Sequence, residues 1–363
     1  MAAYFGYLLL AGIQIPLFYQ KNRLGRRSFN NRAYLVLCCI ELICLAGIRG
    51  YTVGADLQRY YLKAIDYYER FPAAKLLTAK LVWPFDFEIG YFAFTKLSIL
   101  LGLGKTGFLF VVAAIIYIPL FRVIQKYSPM PYVSILCYFA FGLFSYSLGI
   151  LRQMIASSIL FCGWSYIEER RLFKYCLTVA LAMTFHTTAF AGILLYFLYG
   201  INWKKFVGWI VPLEVILLLF GRMFALIVVR LFPMYAGYVG SKYDTQDGTY
   251  LMLILFNMVL FALILFRNEK REKVENLTIW ALVLAIGVQC IGYSMNVLGR
   301  ASRYFSVYLI FAIPYVLSNL KKKIGYQWAF VVSMLVIVIL FGFTYMEFDG
   351  NKYVVPYYTI FGK

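Results

Sequence analysis

Apolar runs that approach or exceed eighteen residues recur along this chain, separated by short loops rich in lysine and arginine. Nothing constrains the fold more, because about twenty apolar residues of helix cross the roughly 30 Å hydrocarbon core of a bilayer. Only helices or closed barrels satisfy their backbone groups in lipid. A barrel needs alternating segments of about ten residues with polar lumen positions, which continuous apolar runs do not supply. The class is therefore an all-α polytopic integral membrane protein. With 63% hydrophobic and only 14% charged residues, no inserted soluble domain is indicated, and 1–363 reads as a single membrane domain. The first segment, Ala2 to Tyr19, lacks a basic start and a small-residue cleavage site, and reads as a retained span.

A net charge of +19 raises the question of nucleic acid. The basic residues are scattered through inter-helical loops rather than gathered in a stripe, which is the pattern of cytoplasmic loops and excludes a nucleic-acid partner. Taking the basic loops 21–32, 122–126, 170–174, 204–205, 267–273 and 321–323 as cytoplasmic predicts about twelve transmembrane helices. These fall near 2–19, 33–48, 105–121, 132–148, 150–167, 172–185, 187–201, 206–229, 250–267, 275–294, 303–319 and 325–345, with both termini outside. Outer loops then lie near 49–104 and 230–249. Segments 172–185 and 187–201 are short for full spans, so a tilted or broken hairpin with His186 near its apex is expected. Segment 76–103 carries Lys80, Pro84, Asp86, Glu88 and Lys96, which suits amphipathic or re-entrant helices on the outer face.

Ionisable residues inside the spans need partners. Glu41, Glu214 and Arg222 read either as buried pairs fixing helix register or as a transporter relay. The seven cysteines lie in apolar runs without CxxC spacing, so neither a disulfide frame nor a zinc site is expected.

The positive-inside rule makes outer arginines the residues to explain. In the stretch 148–196, Arg152 and His186, the only histidine, each stand roughly 24 to 27 Å above the charged turn at Glu168 to Arg171. Arg49 stands roughly 26 Å above Arg32, and Arg300 and Arg303 roughly 27 to 32 Å above Lys321. These groups share one depth. Arginines there are costly unless an anion or carboxylates offset them. Arg152 reads as a structural ion pair or as a bidentate clamp for phosphate oxygens, with Gln153 beside it. His186 reads as a bonded core histidine or as a general base. Asp56 and Arg59, three apart in RGYTVGADLQRYY, read as an ordinary capped loop or as groups that orient an arginine and bind sugar hydroxyls. Tyr235, Tyr238, Tyr243 and Asp244 offer aromatic and hydrogen-bonding surface for a sugar. One histidine and no clustered carboxylates make a poor metal site, and no cofactor is expected.

Several motifs, in order, resemble one family. RGYTVGADLQRYY, FEIGYFAFTKL at Phe87 to Leu97, SLGILRQMIASSI at Ser147 to Ile159, FH at Phe185 and His186, and GRASRYF at Gly299 to Phe305 followed by Ile313 and Pro314 look like the EpsG-type branch of the Wzy polysaccharide polymerases. Arg49, Gly54, Asp56 and Tyr60 match the family's first-loop pattern. Ile89 follows Glu88 where the family often has proline. The resemblance implies a GT-C-like membrane glycosyltransferase needing no metal. It would join undecaprenyl-diphosphate-linked oligosaccharide repeat units into exopolysaccharide, capsule or O-antigen chains at the outer face of the bacterial cytoplasmic membrane. In that reading Arg152, with Arg300 and Arg303, holds the diphosphate, and His186, or else Asp56 or Glu88, takes the acceptor proton. Arg49, Arg59, Gln153 and Tyr243 would complete substrate binding. A flippase and a chain-length regulator are implied neighbours. A lipid-linked sugar flippase or transporter, an O-antigen-type ligase and a membrane acyltransferase are the competing readings.

Overall fold

The computed structural model describes the chain except residues 22–26, 83, 242–243, 245–249, 269–270 and 363. It is helical apart from a two-stranded ribbon, Tyr19–Lys21 against Arg27–Phe29, within the first basic loop. Two compact units are present. The first comprises 1–164, 176–190 and 331–363, and the second 165–175 and 191–330. The chain passes between the units several times.

In the first unit, α1 (Ala2–Ile13) and α2 (Asn31–Gly47) lead into a loop and a π-turn at Leu57–Tyr61. Then come α3 (Leu62–Tyr68), α4 (Ala73–Thr78), α5 (Ile89–Leu100), α6 (Gly104–Tyr127), α7 (Pro131–Ala140), α8 (Leu143–Gly149) and α9 (Leu151–Cys162). Asn30 caps α2, its Oδ1 accepting from the Ala33 N–H at 3.1 Å. The core sits where α6 packs between α2 and α9. Its few polar groups are satisfied there: Tyr117 and Ser147 share a hydrogen bond at 2.7 Å, and the Ser158 hydroxyl donates to the Ile116 carbonyl at 2.8 Å.

The helices α10 (Trp164–Glu168) and α11 (Leu172–Phe185) follow, and the chain continues with α12 (Ile193–Tyr199), α13 (Val207–Leu219), α14 (Gly221–Leu231) and α15 (Tyr250–Leu265). Next are α16 (Glu272–Ser294), α17 (Asn296–Gly299), α18 (Arg303–Ser306), α19 (Leu309–Ile324) and α20 (Tyr326–Phe348). In the second unit α16 is the central helix, packed by α12, α13, α14, α15 and α19.

By length and composition α6, α16 and α20 each suffice to cross a membrane. Three segments expected as straight spans are instead bent: α7 to α8 by 61°, α13 to α14 by 79°, and 296–306 to α19 by 46°. Hydropathy is blind to such breaks, because a bent pair contains the same apolar residues as a straight helix. Segment 76–103 contains two helices, α4 and α5, as the scattered charges suggested.

The intramembrane ionisable residues have local partners. Gln14 donates to Glu41, the Asn257 amide donates to Glu214 at 2.9 Å, and Arg222 grips Asp244 through two nitrogens. These are separate pairs, and they satisfy polar groups that lipid cannot.

The loop after α2 is braced from both sides. Arg49 is 1% exposed, and its guanidinium donates to the carbonyls of Val53 and Leu148, each at 3.2 Å, and to that of Ala46. Burial pushes its pKa down to about 10. The C-terminal tail holds the same loop, the Gly50 and Gly54 N–H groups each donating to it at 2.7 Å and the Ile360 N–H to Ile48 at 2.9 Å. Gly54 has φ +131°, and a Cβ there would lie 2.2 Å from the Leu148 carbonyl oxygen. Only glycine lets the loop rest on the turn that starts α9. Gly54→Ala is expected to destabilise the fold by about 1–3 kcal/mol and to lower activity through displaced α9, a loss readable in thermal unfolding of the detergent-purified protein.

Candidate active site

Three segments of the first unit meet at Glu88. This residue precedes α5, and the close seating of α5 is permitted by Gly90, where a Cβ would lie 2.3 Å from Thr184 Oγ1 near the end of α11. Arg152 is the second residue of α9, and His186 follows the last residue of α11, at the change to a 3₁₀ turn over Thr187–Gly192. Helix ends, not helix faces, therefore deliver the side chains.

The Glu88 carboxylate accepts three hydrogen bonds. Arg152 Nη1 donates to Oε2 at 2.5 Å, His186 Nδ1 lies 2.8 Å from Oε1, and the Thr187 N–H donates to Oε1 at 3.1 Å. Glu88 is 14% exposed, whereas Arg152 and His186 keep 27% and 23%. The carboxylate is the covered centre, and the two basic groups retain open surface. Burial raises the Glu88 pKa, but the His186 hydrogen bond and the Arg152 charge outweigh it and hold the group at about 2. Above that pH the carboxylate is ionised and can only accept, so Nδ1 of His186 must carry a proton. In neutral imidazole the lone pair then resides on Nε2, in the manner of a histidine oriented by a carboxylate.

A depressed carboxylate pKa contributes stability that is complete above the unfolded-state value of about 4.5 and is lost as pH falls through about 2. Wild-type stability is therefore expected to fall relative to Glu88→Gln as pH drops from about 4.5 to about 2. Wild-type and Glu88→Gln profiles that run parallel through this window would contradict the assignment.

Aromatic rings wall the guanidinium. Arg152 lies over the Phe87 ring at 4.8 Å, and Phe87, Tyr61 and Tyr91 pack on one another at 5.2 to 5.8 Å between centroids. Arg152 Nε is buried without a hydrogen-bond partner among the described residues. Tyr61 is 4% exposed beside Arg152, while its neighbour Tyr60, the tyrosine matching the motif, lies under exposed Arg59 at 5.4 Å. The π-turn at Leu57–Tyr61 inserts the extra residue that turns Tyr61 inward. Its only sequence trace was the doubled tyrosine.

The other expected site residues are distributed as follows. Asp56 is half-buried at the start of the π-turn, where its carbonyl accepts from the Tyr60 N–H at 3.0 Å. Gln153 is buried on α9, and Arg49 has no exposed surface to offer a ligand. Arg300, exposed, and Arg303, half-buried, belong to the second unit. Tyr243 lies outside the described residues. Among the described residues no group of three or more His, Cys, Asp or Glu side chains forms.

The EpsG family profile matches residues 32–359, which includes every element just described. The chain belongs to the EpsG family. Membership makes it a polysaccharide-polymerase-like membrane protein, glycosyltransferase-like in kind, and its apolar helices are those of a multi-pass membrane protein. No curated protein and no solved structure matches it. Within the EpsG-matched region, Glu88, Arg152 and His186 come from three motifs separated by 64 and 98 positions, yet they share one carboxylate.

Proposed function

We propose that this EpsG family member polymerises undecaprenyl-diphosphate-linked oligosaccharide repeat units at the outer face of the bacterial cytoplasmic membrane, with a GT-C-like arrangement of about twelve spans. The observation that carries this reading is the Arg152–Glu88–His186 constellation. His186 Nε2 takes the proton of the acceptor hydroxyl, whose oxygen attacks the anomeric carbon of the donor. The bond from that carbon to the diphosphate oxygen breaks, and the leaving diphosphate carries away the electron pair. Arg152 neutralises the charge developing there, with Glu88 occupying only one of its five N–H donors. A single displacement inverts the anomeric centre.

Glu88 itself is a poor base in this scheme, since three donors stabilise its ionised form. Its role is to set the imidazole tautomer and hold the guanidinium. Asp56 belongs to the loop that braces α9, Arg59 supplies exposed polar surface after it, and Gln153 is buried beside Arg152 on α9. The flippase and chain-length regulator remain partners by family analogy.

The test is incubation of the purified protein in liposomes with native lipid-linked repeat units. A ladder of oligomers is expected. Transfer of repeat units between leaflets without lengthening would support a flippase instead, transfer of a finished glycan to another lipid a ligase, and incorporation of labelled acyl groups an acyltransferase.

A further inference from the structure

Within the second unit, α12, α13 and α16 enclose an apolar groove of about 220 Å³, open on one side. Leu198, Phe206, Trp209, Leu213, Leu217 and Trp280 are among the residues that wall it. Its one acidic lining residue, Glu214, is engaged by the Asn257 amide at 2.9 Å. The wall residues Ile201 and Phe206 flank a 3₁₀ turn, Trp203–Lys205, which therefore adjoins the groove. This turn is firmly held. The Trp280 indole donates to the Ile201 carbonyl at 3.0 Å, and the Trp203 indole donates to Asn276 at 2.9 Å.

That turn is positively charged. Lys204 and Lys205 are exposed, and among the described residues no carboxylate pairs with either. Arg267 lies over the Trp203 ring at 5.6 Å. Glu275, next to the Asn276 that holds Trp203, is 1% exposed and turned inward to the Asn268 N–H and the Asn319 amide, at 2.8 and 3.0 Å. An apolar groove bordered by lysines on a tryptophan-anchored turn complements a molecule with a hydrocarbon tail and an anionic head.

We propose that this groove binds one anionic phospholipid, an acyl chain lying against Trp209, Leu213 and Trp280 and the headgroup phosphate resting on Lys204 and Lys205. The site belongs to the second unit and does not depend on the catalytic reading of the first. Gly287 provides room at the wall, since a Cβ there would meet only Leu217 Cδ1, at an ordinary 3.6 Å.

Native mass spectrometry of the full chain in detergent, titrated with phosphatidylglycerol or phosphatidylethanolamine of identical chains, tests the proposal. The wild type is expected to retain phosphatidylglycerol preferentially. Lys204→Gln and Lys205→Gln should each weaken that retention about five-fold without changing retention of phosphatidylethanolamine. Gly287→Leu, which fills the groove, should lower retention of both lipids. Equal retention of the two lipids by the wild type, a phosphatidylglycerol preference untouched by the lysine substitutions, or unchanged binding in Gly287→Leu would each overturn it.

Discussion

Glu88→Gln is expected to reduce polymer formation by about 10²–10⁴-fold while leaving the protein inserted and folded. The carboxylate faces donors on every side: Arg152 Nη1, His186 Nδ1 and the Thr187 N–H. A neutral amide cannot accept from all three. If its oxygen turns to Thr187 and His186, its NH₂ meets the guanidinium donor against donor, and the charge that balances Arg152 is gone. If it turns the other way, the imidazole must shift its proton to Nε2 and is no longer a base toward the acceptor. The first outcome unbalances the guanidinium that meets the leaving diphosphate, and the second removes the general base. Glu88→Asp keeps the charge but shortens the reach, so partial activity is expected from it. A purely structural Glu88 would instead lower the amount of folded protein in both variants and leave turnover per molecule unchanged. Oligomer ladders normalised to monodisperse protein separate the two cases.

Arg152→Ala is the second large effect, about 10²–10³-fold in turnover, because it removes the cation meant to meet the leaving diphosphate. It also leaves the Glu88 carboxylate uncompensated where negative charge develops, so the loss should fall on kcat more than on KM. Arg152→Lys restores a charge without the planar fork and should recover only part of the rate. Since both residues act through one pair, Arg152→Ala combined with Glu88→Gln is expected to cost little more than the worse single variant. Normal polymer from Arg152→Ala at unchanged protein level would show that the guanidinium only braces the fold.

Much of this site was legible from loop charges and helix lengths. Counting rise from the basic turn places Arg152 and His186 at one level, and the structure joins them. The agent that joins them was harder to read. Glu88 lies 64 and 98 positions from its partners, and hydrophobic periodicity does not encode which loop packs on which helix end. It stood among the candidate bases only through the motif resemblance, and its three donors give it a different role. Arg49 shared the same depth, but depth along a helix axis says nothing about whether a side chain points to a cavity or to carbonyls. It braces the turn before α9 instead. Tyr61 was hidden by one extra residue of π-turn, and the bends by apolar runs whose hydropathy continues through them.

The chain has a single histidine, so a protein labelled with nitrogen-15 histidine carries one imidazole signal pair. Nitrogen-15 NMR of that label, in the wild type and in Glu88→Gln, tests most directly whether Glu88 arms His186. The neutral wild-type ring is expected to be the Nδ1–H tautomer, with Nε2 unprotonated, and this preference to be weakened in Glu88→Gln, whose amide can turn either its oxygen or its NH₂ to the ring. A neutral wild-type ring protonated on Nε2, or a tautomer indifferent to Glu88, would contradict it.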